Sequence, residues 1–293
     1  MKMKKRLCFF LAALLMLSLC LVGCDPETDA PAPSGADGGD AVTDEGGEGT
    51  EEQEFWVQRG DIRLFGRIYI PDTPDARKPA VILSHSSSMT ADSMQSYCRG
   101  FVSRGYVAYA FDFAGGSSKS RSDGEDDDMT VFTEVEDLKA VLSTIRALPY
   151  VDAERVYLFG TSQGGLVSAL TAEECPDAVA GLLLLYPAFN IAELVQRFSG
   201  LGLSSGNAYM ETLQNYDVYE HIGSFPGRVL ILRGSRDFIV PSSAVERAAA
   251  LYEHCELYTI DGANHGFNSE NYSFGGDFDP QVWEYIDAYL EET

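Results

Sequence analysis

The chain has 293 residues, 45% hydrophobic and 11% aromatic, which supports a sizeable core and excludes wholesale disorder or a fibrous repeat. Its formal net charge of -24 at pH 7 is uneven: residues 1–24 hold four bases and no acids, residues 25–54 eleven acids and no bases, leaving -17 on the rest. A domain that negative repels phosphate backbones and anionic polymers, so nucleic acid is not expected as a partner and small neutral or cationic substrates stay open.

The first residues, Lys2, Lys4, Lys5 and Arg6, precede an apolar run from Leu7 to Val22, the basic and hydrophobic regions of a secretion signal. Sixteen residues fall short of the roughly 20 that a membrane span needs. Leu21-Val22-Gly23-Cys24 resembles the bacterial lipobox, in which the signal is cut before the cysteine and its thiol is acylated. That resemblance implies a 1–23 signal peptide and a lipid-anchored, extracytoplasmic protein tethered through Cys24, since two acyl chains hold a protein on a membrane where one barely does. Residues 24–54, rich in Gly, Pro, Asp and Glu, read as an acidic linker that cannot bury enough surface to order itself.

Residues 55–293 read as one α/β domain. Phe55 to Arg59 and Ile62 to Ile70, joined by Gly60-Asp61, form an expected antiparallel hairpin. Apolar runs follow at Ala80 to Leu83, Tyr106 to Phe111, Arg155 to Phe159, Ala180 to Leu185, Arg228 to Leu232 and Leu257 to Ile260, as in strands covered on both faces. Between them, helices are expected over Met94 to Arg104, Phe132 to Leu148, Gln163 to Glu174, Ser243 to Tyr252 and Gln281 to Leu290. This alternation predicts a mostly parallel sheet with an antiparallel N-terminal edge and helices on both faces. The forty residues 188–227 exceed a single crossover helix and predict a small lid. Three cysteines fall in the domain, Cys98, Cys175 and Cys255, without Cys-x-x-Cys spacing or a histidine cluster, so no metal or organic cofactor is implied.

Gly160-Thr161-Ser162-Gln163-Gly164 lies between an expected strand and an expected helix, the setting in which a sharp turn presents a serine Oγ above a sheet. A second Gly-x-Ser-x-Gly, residues 202–206 with Ser204 at its centre, has no strand before it. A serine needs a base to take its proton and an acid to orient that base. Of four histidines, His265 sits in a loop between the last strand and the last helix, whereas His85 ends a strand and His221 and His254 fall in lid or helical segments. Asp237 follows the strand Arg228 to Leu232, 75 residues after Ser162 and 28 before His265; Asp261, close to His265 in sequence, fits a turn.

Together these features resemble the α/β-hydrolase superfamily, and within it the serine aminopeptidase-like and cinnamoyl or feruloyl esterase-like branch with a small lid. The likeness implies a serine hydrolase cleaving small carboxylic esters through Ser162, Asp237 and His265. In that branch a His-Gly motif follows the third strand; here the run is Ser84-His85-Ser86-Ser87-Ser88. By position, Ser87 and Gln163 supply the oxyanion-hole N–H groups, with Ser86 replacing the usual glycine. Phe111-Asp112-Phe113-Ala114-Gly115-Gly116-Ser117 resembles a turn of the same branch in which the acid is scaffold. The acidic run Glu125 to Asp128 lacks EF-hand spacing and reads as a solvated loop. The alternatives are a peptidase or amidase using the same three residues, and a catalytically silent envelope lipoprotein that binds a ligand.

Overall fold

The computed structural model of the protein describes residues 50–72, 77–200, 208–268 and 277–291. The signal-like leader, Cys24, most of the acidic linker and the second Gly-x-Ser-x-Gly lie outside them. Eight strands form one sheet: β1 (Thr50–Arg59), β2 (Ile62–Pro71), β3 (Lys78–Ser84), β4 (Val107–Phe111), β5 (Val151–Thr161), β6 (Gly181–Leu185), β7 (Arg228–Gly234) and β8 (Cys255–Ile260), in the order β1-β2-β4-β3-β5-β6-β7-β8. β2 runs antiparallel to β1 and β4, and the other pairings are parallel. At the Gly60 and Asp61 turn the glycine takes φ +56 with open space around it, a conformation that costs glycine nothing.

The seven α-helices among the described residues are α1 (Gln95–Val102), α2 (Val131–Arg146), α3 (Gln163–Glu174), α4 (Ile191–Gly200), α5 (Ala208–Leu213), α6 (Ser242–Ala249) and α7 (Asp279–Glu291). They cover both faces, which explains why the central strands are apolar at consecutive positions. Val229 and Ile231 of β7 enter the core beside α2, α3 and α6, while Leu230 and Leu232 enter the core beside α1 and α7. The same period of two divides Leu182 and Leu184 from Leu183 and Leu185 on β6. α2 starts on a reciprocal cap: Thr130 Oγ1 accepts from the Thr133 N–H and Thr133 Oγ1 from the Thr130 N–H.

Two strand starts differ most from the sequence expectation. β1 begins at Thr50, so residues 50–54, assigned above to the linker, pair with β2; Glu52 and Glu54 lie against Arg67 (3.3 Å) and Arg121 (2.7 Å). β5 begins at Val151, ahead of Arg155. The insertion between β6 and β7 contains α4, α5 and a 3-10 turn, Val218–Glu220, and sends Val195, Tyr209, Leu213 and Val218 into the core shared with α2.

Strand order reverses beside β3: the chain runs from β3 to β4 on one side and then crosses to β5 on the other. The carboxyl ends of β3 and β5 lie side by side at this point, with Ser84 opposite Gly160. Ligands of open α/β sheets bind at such a reversal. Among the described residues no helix is long and apolar enough to cross a membrane.

Candidate active site

Ser162 stands between β5 and α3 with φ 50 and ψ -114, a backbone conformation that L-residues avoid. The turn is held by the Ser162 N–H on Leu185 O (3.0 Å) and the Ala188 N–H on Ser162 O (2.9 Å). Its flanking glycines answer to space. A Cβ on Gly160 would strike Gly164 O, and one on Gly164 would strike the backbone of Ser84 and His85, so the turn closes this tightly only with glycine at both positions.

Three segments far apart in sequence converge on this serine. His265 Nε2 lies 3.0 Å from Ser162 Oγ, and His265 Nδ1 lies 2.8 Å from Asp237 Oδ2. The other carboxylate oxygen, Asp237 Oδ1, accepts the N–H groups of Ile239 and Val240, each at 2.9 Å. A carboxylate committed on both oxygens calls for hydrogen on Nδ1, which leaves Nε2 free to accept the Ser162 proton. All three side chains are buried. Asp261, the competing acid, instead accepts Ser235 Oγ at 3.0 Å, while that oxygen takes the Gly262 N–H at 2.8 Å; it braces a turn.

The loop after β3 departs from a glycine-dependent pattern. Among the described non-glycine residues the positive-φ positions are Ser88, Ser162, Tyr186 and Phe267, so the strained residue of this loop is Ser88 rather than Ser86. The Met89 N–H closes a turn on Ser86 O at 3.1 Å. Ser86 Oγ meets Thr161 Oγ1 at 2.9 Å, which ties the loop to the residue preceding Ser162. Ser87 lies within this turn. Gln163 opens α3, where a backbone N–H has no partner within the helix and forms part of the positive end of its dipole.

The other sequence candidates serve the scaffold. His85 directs Nδ1 at Ser86 O (2.8 Å), and its Nε2 accepts the Phe113 N–H (3.4 Å); burial lowers its basicity, so the ring stays neutral. Asp112 accepts the N–H groups of Ala91 (2.7 Å) and Arg121 (2.8 Å). His221 stacks on Tyr216 with centroids 4.5 Å apart. Among the described residues no group of three His, Cys, Asp or Glu side chains could hold a metal ion.

Two neighbours escaped the sequence reading. Tyr186 presents its ring to His265 at 4.7 Å and to Phe267 at 4.8 Å, and its hydroxyl lies near Thr161 and Ser86. Its only sequence signal is an aromatic closing the run Leu182 to Leu185. Glu134 on α2 accepts Gln163 Nε2 at 2.6 Å in the interior. Its signal is an acid in phase with the buried positions Leu138, Val141 and Ile145.

A family model described as serine aminopeptidase, S33, matches residues 75–217. The quorum-quenching protein AidA of Acinetobacter baumannii (strain MDR-ZJ06) is 27% identical over 107 residues, which is 36% of this chain and 34% of that protein. The chain thus spans about a third of that relative. The structure of Est1E from Butyrivibrio proteoclasticus with ferulic acid bound matches with a TM-score of 0.70 at 23% identity, covering 81% of this chain and 98% of that one. GrgF, an α/β-hydrolase from Penicillium sp. sh18, matches with a TM-score of 0.63 at 18% identity, covering 81% and 96%. At these identities the likeness is one of fold.

Proposed function

We propose that this chain, which has the fold of the α/β-hydrolases, is a serine hydrolase of small carboxylic esters working through an acyl-enzyme. The observation carrying this reading is the continuous hydrogen-bonded line from Asp237 through His265 to Ser162 at the strand reversal. Ser162 Oγ attacks the ester carbonyl while His265 Nε2 takes its proton. The resulting oxyanion rests on the backbone N–H groups of Gln163 and Ser87, each such donor contributing about 3 to 4 kcal/mol in the transition state. Collapse expels the alcohol, to which His265 returns the proton. Water, deprotonated by the same imidazole, then releases the acid and restores Ser162.

The matching family model favours a second reading, an aminopeptidase or amidase on the same three residues. A panel of p-nitrophenyl esters of rising acyl length, methyl ferulate and aminoacyl amides decides between the two. Ester turnover exceeding amide turnover by at least about 100-fold in kcat/KM, near 3 kcal/mol of barrier, is expected; turnover of amides alone overturns the ester reading.

The leader supports a further part of this proposal: residues 1–23 are removed on export and a lipid on Cys24 holds the domain outside the cytoplasmic membrane. Cys24→Ser then moves the protein from the detergent-extracted membrane fraction to the soluble fraction. Wild-type protein already in the soluble fraction would count against the anchor.

A further inference from the structure

Resting on that reading, we propose that Glu134 is a positioning residue for acyl transfer: its carboxyl holds the Gln163 side chain beneath the nucleophile turn and thereby aims the Gln163 N–H at the oxyanion. The contact is Gln163 Nε2 to Glu134 Oε1 at 2.6 Å, with both residues buried. It joins α2 to the first residue of α3, whose own backbone N–H is the one assigned to the oxyanion in the proposed reaction. The second carboxyl oxygen, Glu134 Oε2, is buried and without a hydrogen-bond partner. A carboxylate in that position would leave a charged oxygen unsolvated, whereas the neutral acid accepts the amide on its carbonyl oxygen and leaves only a hydroxyl unpaired.

The surroundings agree with the neutral form. Burial pushes the Glu134 carboxyl up to about 8, with the Gln163 amide opposing and Asp137 adding to the rise. Asp137, one turn further along α2, pairs with Arg59 of β1 and accepts the Ala114 N–H at 2.9 Å. Facing α2 from α3 are the uncharged Gln163 and, at its far end, Glu174, which Lys139 of α2 neutralises at 2.8 Å. No cation is therefore paired with Glu134 among these groups. When its proton leaves, a negative charge arises under the N-terminus of α3, where it opposes the oxyanion that the same helix end stabilises.

The test compares wild type, Glu134→Gln and Glu134→Leu on p-nitrophenyl butyrate from pH 5 to 10, with the uncatalysed rate subtracted and Ser162 labelling by a fluorophosphonate probe as control. Wild-type kcat is expected to fall on the order of tenfold as pH rises through about 8, the size of a single charge acting across several ångströms of protein. Glu134→Gln keeps an acceptor for Gln163 but cannot ionise. It is expected to lose roughly twofold at pH 7 and to lack the alkaline fall. Glu134→Leu, with no acceptor, is expected to lower kcat on the order of tenfold with KM little changed, the size of leaving the buried Gln163 amide without its acceptor.

A second readout does not depend on turnover. The unfolded chain releases this proton near 4.5 and the folded chain near 8. The unfolded state therefore binds fewer protons between those values, and stability falls as pH rises across that window. Glu134→Gln should flatten the fall in urea midpoint between pH 5 and 8. Superimposable alkaline limbs for wild type and Glu134→Gln, in protein whose Ser162 is labelled, overturn the positioning role and leave the hydrolase reading standing. Absence of labelling in wild type sinks the hydrolase reading first. Should Glu134→Leu fail to fold, the Glu134→Gln profile alone decides.

Discussion

Ser162→Ala is expected to lower kcat/KM by a factor on the order of 10⁵ to 10⁶, the loss seen when a nucleophile acting as one unit with its base is removed, and to abolish fluorophosphonate labelling. The fold should survive, because the neighbours that fix the turn act on backbone atoms: the Leu185 carbonyl takes the Ser162 N–H and the Ala188 N–H bonds the Ser162 carbonyl. Alanine leaves these bonds in place and also leaves the strain of φ 50, since that cost belongs to any residue with a Cβ. Ser162→Gly removes both nucleophile and strain, so it should be equally inactive and no less stable than Ser162→Ala. Thermal melts beside an ester assay check both halves. Either variant retaining more than about one per cent of wild-type kcat/KM would show that a different group attacks the carbonyl.

The strands were legible because a sheet covered on both faces needs apolar side chains at consecutive positions, and runs such as Arg228 to Leu232 hold little else. The start of β1 was not. Glu51, Glu52 and Glu54 give that edge the composition of the acidic linker, while the ladder to β2 and the arginines Arg67 and Arg121 that receive two of those acids belong to other parts of the chain. Ser162, Asp237 and His265 could be singled out because each follows a strand in an order the sequence displays, and the structure brings the three within hydrogen-bond reach. Gln163 was assigned by position for its N–H, but its side-chain bond to Glu134 depends on how α2 and α3 cross. Tyr186 reaches His265 from a positive-φ turn after β6, and neither apolar periodicity nor a motif encodes such a turn.

The substitution Asp237→Asn is expected to lower kcat by about 10⁴-fold without disturbing the fold, for a reason built into this loop. Asp237 Oδ1 accepts two backbone N–H groups, from Ile239 and Val240. Asparagine must therefore keep its carbonyl oxygen on that side, because turning its NH₂ toward two donors would leave three groups without acceptors. The NH₂ then faces His265 Nδ1, where Oδ2 lies 2.8 Å away in the native side chain. An imidazole meeting a donor at Nδ1 must accept there, which moves its own hydrogen to Nε2, the atom 3.0 Å from Ser162 Oγ. A base with its lone pair turned away cannot receive the serine proton, and an imidazolium, if formed, has lost its compensating carboxylate. Asp237→Ala should show a comparable kinetic loss but also a lower melting temperature, since the Ile239 and Val240 N–H groups lose their acceptor at a cost of roughly 1 to 3 kcal/mol for each group left buried. The difference in melting temperature between the two variants, set against their shared loss of kcat, separates the orienting role of the carboxylate from its part in the loop. An Asp237→Asn enzyme within tenfold of wild type would mean that His265 is held in its working tautomer by some other group.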